Sequence, residues 1–252
     1  MTASEQPLDA GDGESTEAEN GRSADGSVFD DPTYRTAVVD LLGVLAYGEL
    51  TAFERLAEDA KLAPTLEDKA ALAGLATAEF QHFELLRDRL STFTDPVRAM
   101  QPFRRPLDEF HAHTAPADWL EGLVKAYVGD GIAMDFYREV VNYVDADTRA
   151  LALEVLEDEA YVHFMVDRLT NAIESDPETA GRLALWGRRL VGEALSQAQR
   201  VAAERDSLTA LLVGAIDGAG LERGMDLAAI GRMFARLTAK HTERMALLGL
   251  QA

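Results

Sequence analysis

In the segment AEFQHFELLRDRL, Ala78 to Leu90, Glu79 precedes His82 by three residues. On a helix that separation is roughly 300° of rotation and about one turn of rise, so the carboxylate and the imidazole share a face and can grip one cation from one side. A second segment, EDEAYVHFMVDRL at 157–169, repeats the arrangement with Asp158, and Tyr161 stands where the histidine would be. Glu49 in AYGELTAF and Asp130 in AYVGDGIAMDF form a further matching pair. Glu49 lies 30 residues before Glu79, and Asp130 lies 28 before Asp158. The chain therefore reads as two copies of a helix pair, Glu49 with Glu79 and His82, then Asp130 with Asp158 and Tyr161.

Each acid falls on an apolar stripe of helical period. The stripes are Leu42, Leu45, Ala46, Glu49, Phe53 and Leu56; Leu72, Leu75, Ala76, Glu79, Phe83, Leu86 and Leu90; Leu123, Tyr127, Asp130, Met134, Tyr137 and Val141; and Leu151, Val155, Asp158, Val162, Met165 and Leu169. Four inward carboxylates without partners are costly to bury and repel one another, so either a cation sits among them or some are protonated. Oxygen and nitrogen ligands without sulfur suit iron or manganese, with zinc as a further choice, and two bridged divalent ions would neutralise four acids. The metal-free alternative is a structural bundle in which protonated acids hydrogen-bond to Tyr161, Tyr127 or Tyr47. His163, five residues after Asp158, cannot share its face; it pairs instead with Glu159 if that helix is rotated by one residue or bulged, but the stripe this buries is less apolar.

Six helices must position these groups, near 32–60, 66–92, 116–143, 147–174, 177–215 and 226–249. Asp31-Pro32, Thr65, Thr114 with Pro116, Asp147 with Thr148, Asp176-Pro177 and Asp226 read as their starts. The first and second helices are joined by a short turn, as are the third and fourth. Between the second and third runs STFTDPVRAMQPFRRPLDEFHAHTAPA, rich in proline. Short, long, short is the connection pattern of an all-α four-helix bundle whose middle link crosses its length, with two additional C-terminal helices.

Composition bounds the function. The 252 residues are 47% hydrophobic, include no cysteine and carry a formal net charge of −20. Disulfides, thiolate metal sites and thiol nucleophiles are excluded, and long-range repulsion makes the chain a poor general binder of phosphate backbones. Residues 1–30 hold eight acids against Arg22 alone, a local net charge of −7, and read as a disordered acidic tail. The bundle is expected over 31–175 and the extra helices over 176–252. No long apolar run predicts a membrane span and no secretory leader is evident, so cytoplasm is the expected compartment.

A lone Glu, a Glu-x-x-His on the next helix, a long crossover and a repeat of the set resemble the ferritin-like di-iron carboxylate proteins over about residues 33 to 172. The final third, particularly LWGRRLVGEALSQAQRVAAERD and GRMFARLTAKHTERM, is similar to the bacterial group named after the tRNA 2-methylthio-isopentenyladenosine hydroxylase. The resemblance implies metal held by Glu49, Glu79, His82, Asp130 and Asp158, one or two iron ions or manganese, and an O₂-activating hydroxylase or related oxidoreductase. Tyr161, at the second histidine place, would ligate ferric iron as a phenolate and take a catalytic part. The group name implies tRNA as substrate, whereas the net charge favours a small molecule.

Elsewhere, Tyr47, Tyr127 and Tyr137 read as core residues with hydroxyl partners. His111 and His113 could bind metal as a pair but read as exposed loop residues, and His241 as a surface residue. Arg98, Arg104 and Arg105 beside Phe103 form one modest basic and aromatic cluster, better explained by pairing with the many acids. Trp186, Leu190, Leu195, Val201, Met233 and Leu237 of the last two helices would cover the bundle or form a homodimer surface.

Overall fold

The computed structural model describes residues 28–156, 162–213 and 226–252, and among them every regular element is helical. The first pair is α1 (Pro32–Asp59) and α2 (Leu66–Ser91), which pack along most of their lengths. Asp31 accepts the Thr33 N–H at 2.7 Å, with Pro32 at the first helical position. Thr65 accepts the Asp68 N–H at 3.1 Å and donates its hydroxyl to the Asp68 carboxylate at 2.7 Å. Both starts are where the cap residues of the sequence place them. α1 is long and apolar enough to cross a membrane by length and composition, with 56% of its most apolar stretch buried. It is instead wrapped by neighbouring helices, which is why it is apolar on more than one side.

The crossover is itself helical, with α3 (Pro96–Met100) and α4 (Arg104–His113) joined by a 3₁₀ turn. Two of its basic residues pair locally, Arg104 with Asp108 at 3.4 Å and Arg105 with Glu109 at 2.8 Å, while Arg98 is exposed and Phe103 is fully buried. Gly43 of α1 lets α3 approach closely, since a Cβ there would lie 2.6 Å from the Ala99 carbonyl oxygen.

The third bundle helix differs from a continuous run over 116–143. It begins at Asp118, which caps α5 (Trp119–Val124), passes through a π-helical turn over Lys125–Asp130, and continues as α6 (Gly131–Val140). Thr114, read as a start, instead closes α4 by donating to the Phe110 carbonyl. The π turn inserts one extra residue per turn and rotates the remainder of the helix, so Ile132 and Asp135 are buried. Asp135 takes Arg244 at 2.6 Å and Lys240 at 3.1 Å, tying α6 to the last helix.

α7 (Ala146–Val155) is capped by Asp145 rather than Asp147, and the Tyr34 hydroxyl bonds both the Asp145 carboxylate and its N–H at 2.7 Å. α8 (Val162–Ser175) comes next. α9 (Pro177–Glu204) ends at Arg205, whose side chain pairs with buried Asp40 of α1, as does Ser207. That contact turns α10 (Asp206–Val213) back onto α1, so the expected single helix over 177–215 is two. α11 (Leu227–Leu247) ends at Gly249, φ +72°, with Leu250 N–H on the Met245 carbonyl and Gly249 N–H on that of Ala246. This is a left-handed glycine stop, and Leu250 and Met245 are both buried beneath it.

Two buried clusters fill the bundle. One contains Leu41, Leu42, Leu45, Phe83, Leu86 and Leu90; the other contains Leu56, Leu72, Leu75, Leu123, Val128 and Leu169. Glu49 and Glu79 fall between them in the sequence of each helix.

Candidate metal centre

Glu49 is delivered by α1, and Glu79 and His82 by consecutive turns of α2. Their side chains are only 13%, 9% and 16% exposed. The His82 Nδ1 lies 3.7 Å from a Glu49 oxygen and 3.8 Å from a Glu79 oxygen, and it is buried with no hydrogen-bond partner. One ligand atom from each residue can be chosen so that all lie within 4.8 Å of one another. Two ligand atoms on one ion at about 2.1 Å are themselves roughly 3 to 4 Å apart, so these separations are those of co-ligands rather than of a hydrogen bond. The residues fit a cation. Among the described residues this is the one group with that geometry.

The electrostatics agree. Burial, then the neighbouring Glu79, pushes the Glu49 carboxyl well above the carboxylate range. Burial also acts on Glu79, but Glu49 and His82 hold it below its ordinary value. The two carboxylates, Glu49 first, raise His82 to about 10. Without a metal ion, protons do the neutralising.

Asp130 ends the π turn and is not one of the three. It lines a cavity of about 220 Å³ together with Glu49 and Glu79. Burial first, then Glu79, raises it to about 8, against the opposing pull of Lys125. Asp158 and Tyr161 lie outside the described residues. His163 is exposed while Met165, Leu169 and Ile173 are buried, which removes His163 as an alternative ligand.

Other expectations change. His111 is on a helix and half-buried, its Nε2 3.1 Å from the Thr51 hydroxyl, while His113 is exposed and pairs with Glu193 at 3.2 Å; they are not a metal pair. His241 is buried rather than on the surface. Tyr47 turns outward to Asp108 at 2.6 Å, and Tyr137 lines the cavity, its hydroxyl pKa raised by burial and then by Glu49.

Lys125 and Asp59 were not legible in the sequence. Lys125 is 4% exposed, donates to the Thr114 carbonyl at 2.9 Å and lies over the Phe110 ring; burial lowers it to about 8. It sits off the expected stripe, at the first residue of the π turn. Asp59 is buried at the end of α1 with its pKa raised by burial. Gly122 makes room for it, since a Cβ there would be 3.0 Å from the Asp59 carboxylate.

Comparison with curated proteins finds no match. Residues 32–215, well over half of the chain and including Glu49, Glu79, His82 and Asp130, match the ferritin-like domain of actinomycetes, in keeping with the all-helical fold. The chain belongs to this ferritin-like family.

Proposed function

We propose that the protein is a non-heme metal oxidoreductase of the hydroxylase kind, holding iron, or manganese in its place, through Glu49, Glu79 and His82, and acting on a small molecule in the adjoining cavity. The observation that carries the reading is the buried, unpartnered His82 Nδ1 set between two carboxylates from different helices. A structural histidine at that depth would have a hydrogen bond. Asp130, with Asp158 and Tyr161, is proposed to complete the set.

When bound, iron would supply the redox chemistry that activates O₂. The chain's own residues do the rest. Glu49 gives up its proton and with Glu79 offers negative charge, and His82 loses its proton to expose a lone pair at Nδ1. Asp130 adds charge from the opposite helix, with Lys125 balancing it. The apolar walls keep water from the centre. The net charge of −20 favours a small molecule over tRNA.

Metal analysis of protein from iron-supplemented cells tests this directly. About one iron or more per chain is expected, with loss of most of it in His82→Gln and Glu79→Gln, because a ligand set is lost as a unit. Less than about 0.2 metal per chain after reconstitution with ferrous iron or manganese would leave a structural bundle whose acids are neutralised by protons.

A further inference from the structure

The cavity reaches well beyond the acids. Leu195, Ala198 and Val201 of α9, Leu208 and Leu212 of α10 and Leu237 of α11 line it, so helices outside the four-helix core build one whole wall. Its charged lining residues are all acidic, namely Glu49, Glu79 and Asp130. Apart from an ion held by those groups an anion would have no counter-charge there, and a cation would compete with metal for the same carboxylates.

Two residues of this lining each carry a buried polar atom that lacks a partner, His111 Nδ1 and Gln197 Oε1. Their chemistry can be fixed. The Thr51 hydroxyl spends its single proton on the Gly48 carbonyl at 2.9 Å. In its 3.1 Å contact with His111 Nε2 it therefore accepts, and Nε2 carries the ring hydrogen. Burial, with Lys125 and Arg55 nearby, keeps that ring neutral. His111 Nδ1 is then a bare acceptor, as Gln197 Oε1 is. Both lie on the seam between α4 and α9. Glu193 and Arg200, which bracket Gln197 on one face of α9, reach His113 and Glu109 of α4. Buried acceptors without donors are rare and costly, and their complement is a ligand that donates.

We propose that this cavity binds a neutral, largely aliphatic molecule bearing a hydroxyl group, with the O–H donating to His111 Nδ1 or Gln197 Oε1 and the hydrocarbon body against α9, α10 and α11. The proposal names the substrate class of the site above and rests on that reading for the fate of the molecule, though binding does not.

The test is calorimetric titration of the full-length protein with n-octanol, with n-heptyl methyl ether, which has the same number of heavy atoms but no donor, and with octanoate. Metal content is measured on the same samples. Octanol should bind about tenfold or more tighter than either analogue. His111→Phe should bring octanol toward the ether's affinity, and Ala198→Trp, which fills the wall, should abolish binding while metal content stays at the wild-type level. Equal affinity for octanol and the ether, preference for octanoate, no octanol binding, or octanol binding unchanged in Ala198→Trp overturns the proposal. The ligand comparison uses wild-type protein, so it decides the matter even if the tryptophan variant fails to fold. Protein that holds iron but does not discriminate octanol loses this inference and keeps the metal reading; metal-free protein that does discriminate shows the reverse.

Discussion

Replacing Arg244 by methionine should reveal how α11 is held. Asp135 is 4% exposed at its side chain and is met by Arg244 at 2.6 Å, Lys240 at 3.1 Å and Arg138 at 3.8 Å. At an effective dielectric near 20 the closest of these attractions is about 6 kcal/mol before desolvation, and breaking a buried pair by removing one partner costs about 3–5 kcal/mol. Lys240 remains, though it is 46% exposed, so the net loss expected for Arg244→Met is about 2–4 kcal/mol. Gly131 supplies an independent perturbation of the same contact, because a Cβ there would lie 2.6 Å from Arg244 Nε and 2.7 Å from its Cζ. On helix propensity alone Gly131→Ala would gain about 1 kcal/mol; with the guanidinium in the way it should destabilise. Urea unfolding of the wild type, both single variants and the double variant measures this, and the two losses should couple by about 1 kcal/mol or more. The melting temperature of Arg244→Met should fall by roughly 5–15 °C for a chain of this size. A loss under about 1 kcal/mol in Arg244→Met, or a stabilised Gly131→Ala, would refute the ion pair as the anchor of α11.

Three further outcomes rest on named contacts. Burial, then Lys125 and Arg55, drops His111 to about 3. The folded value lies below the unfolded value of about 6.5, so its contribution is intact above that pH and is lost as pH falls. By pH 5 the loss should be about 2 kcal/mol, read as a gain of that size by His111→Phe relative to wild type between neutral pH and pH 5 in urea melts. Gly43→Ala should cost about 1–3 kcal/mol, because the added methyl meets the Ala99 backbone. At Gly187 it meets only the flexible Met245 side chain, and the same assay should show a smaller loss. Tyr34→Phe removes a hydroxyl bonded twice to Asp145 and should cost about 1–3 kcal/mol by thermal denaturation.

The first helix pair could be read from the sequence because its stripes are regular. With Leu42, Leu45, Ala46 and Leu56 on one face, and Leu72, Ala76, Phe83 and Leu86 on the other helix, Glu49 and Glu79 could point only inward, and His82 goes with Glu79. Helix three broke the same logic. A stripe counted at 3.6 residues per turn reaches Asp130, and beyond it Met134 and Tyr137 line the cavity and Val141 is buried, but the π turn adds a residue that no spacing announces and brings further positions inward. Asp135 is buried for that reason. Arg205 gave no composition signal that α9 would end, because the break is made by a long-range contact to Asp40. His111 looked like a loop residue among prolines, yet those prolines start short helices rather than prevent them.

The three residues proposed to hold a metal come entirely from α1 and α2, while much of the cavity wall comes from α9, α10 and α11, of which α11 lies beyond the residues that match the family. Reactive groups and selecting surface are thus carried by separate stretches of one chain. On the proposed reading, substitutions in the later helices would reshape what enters without disturbing the three ligands, so within this fold the choice of molecule would be free to drift in evolution while the chemistry stays put.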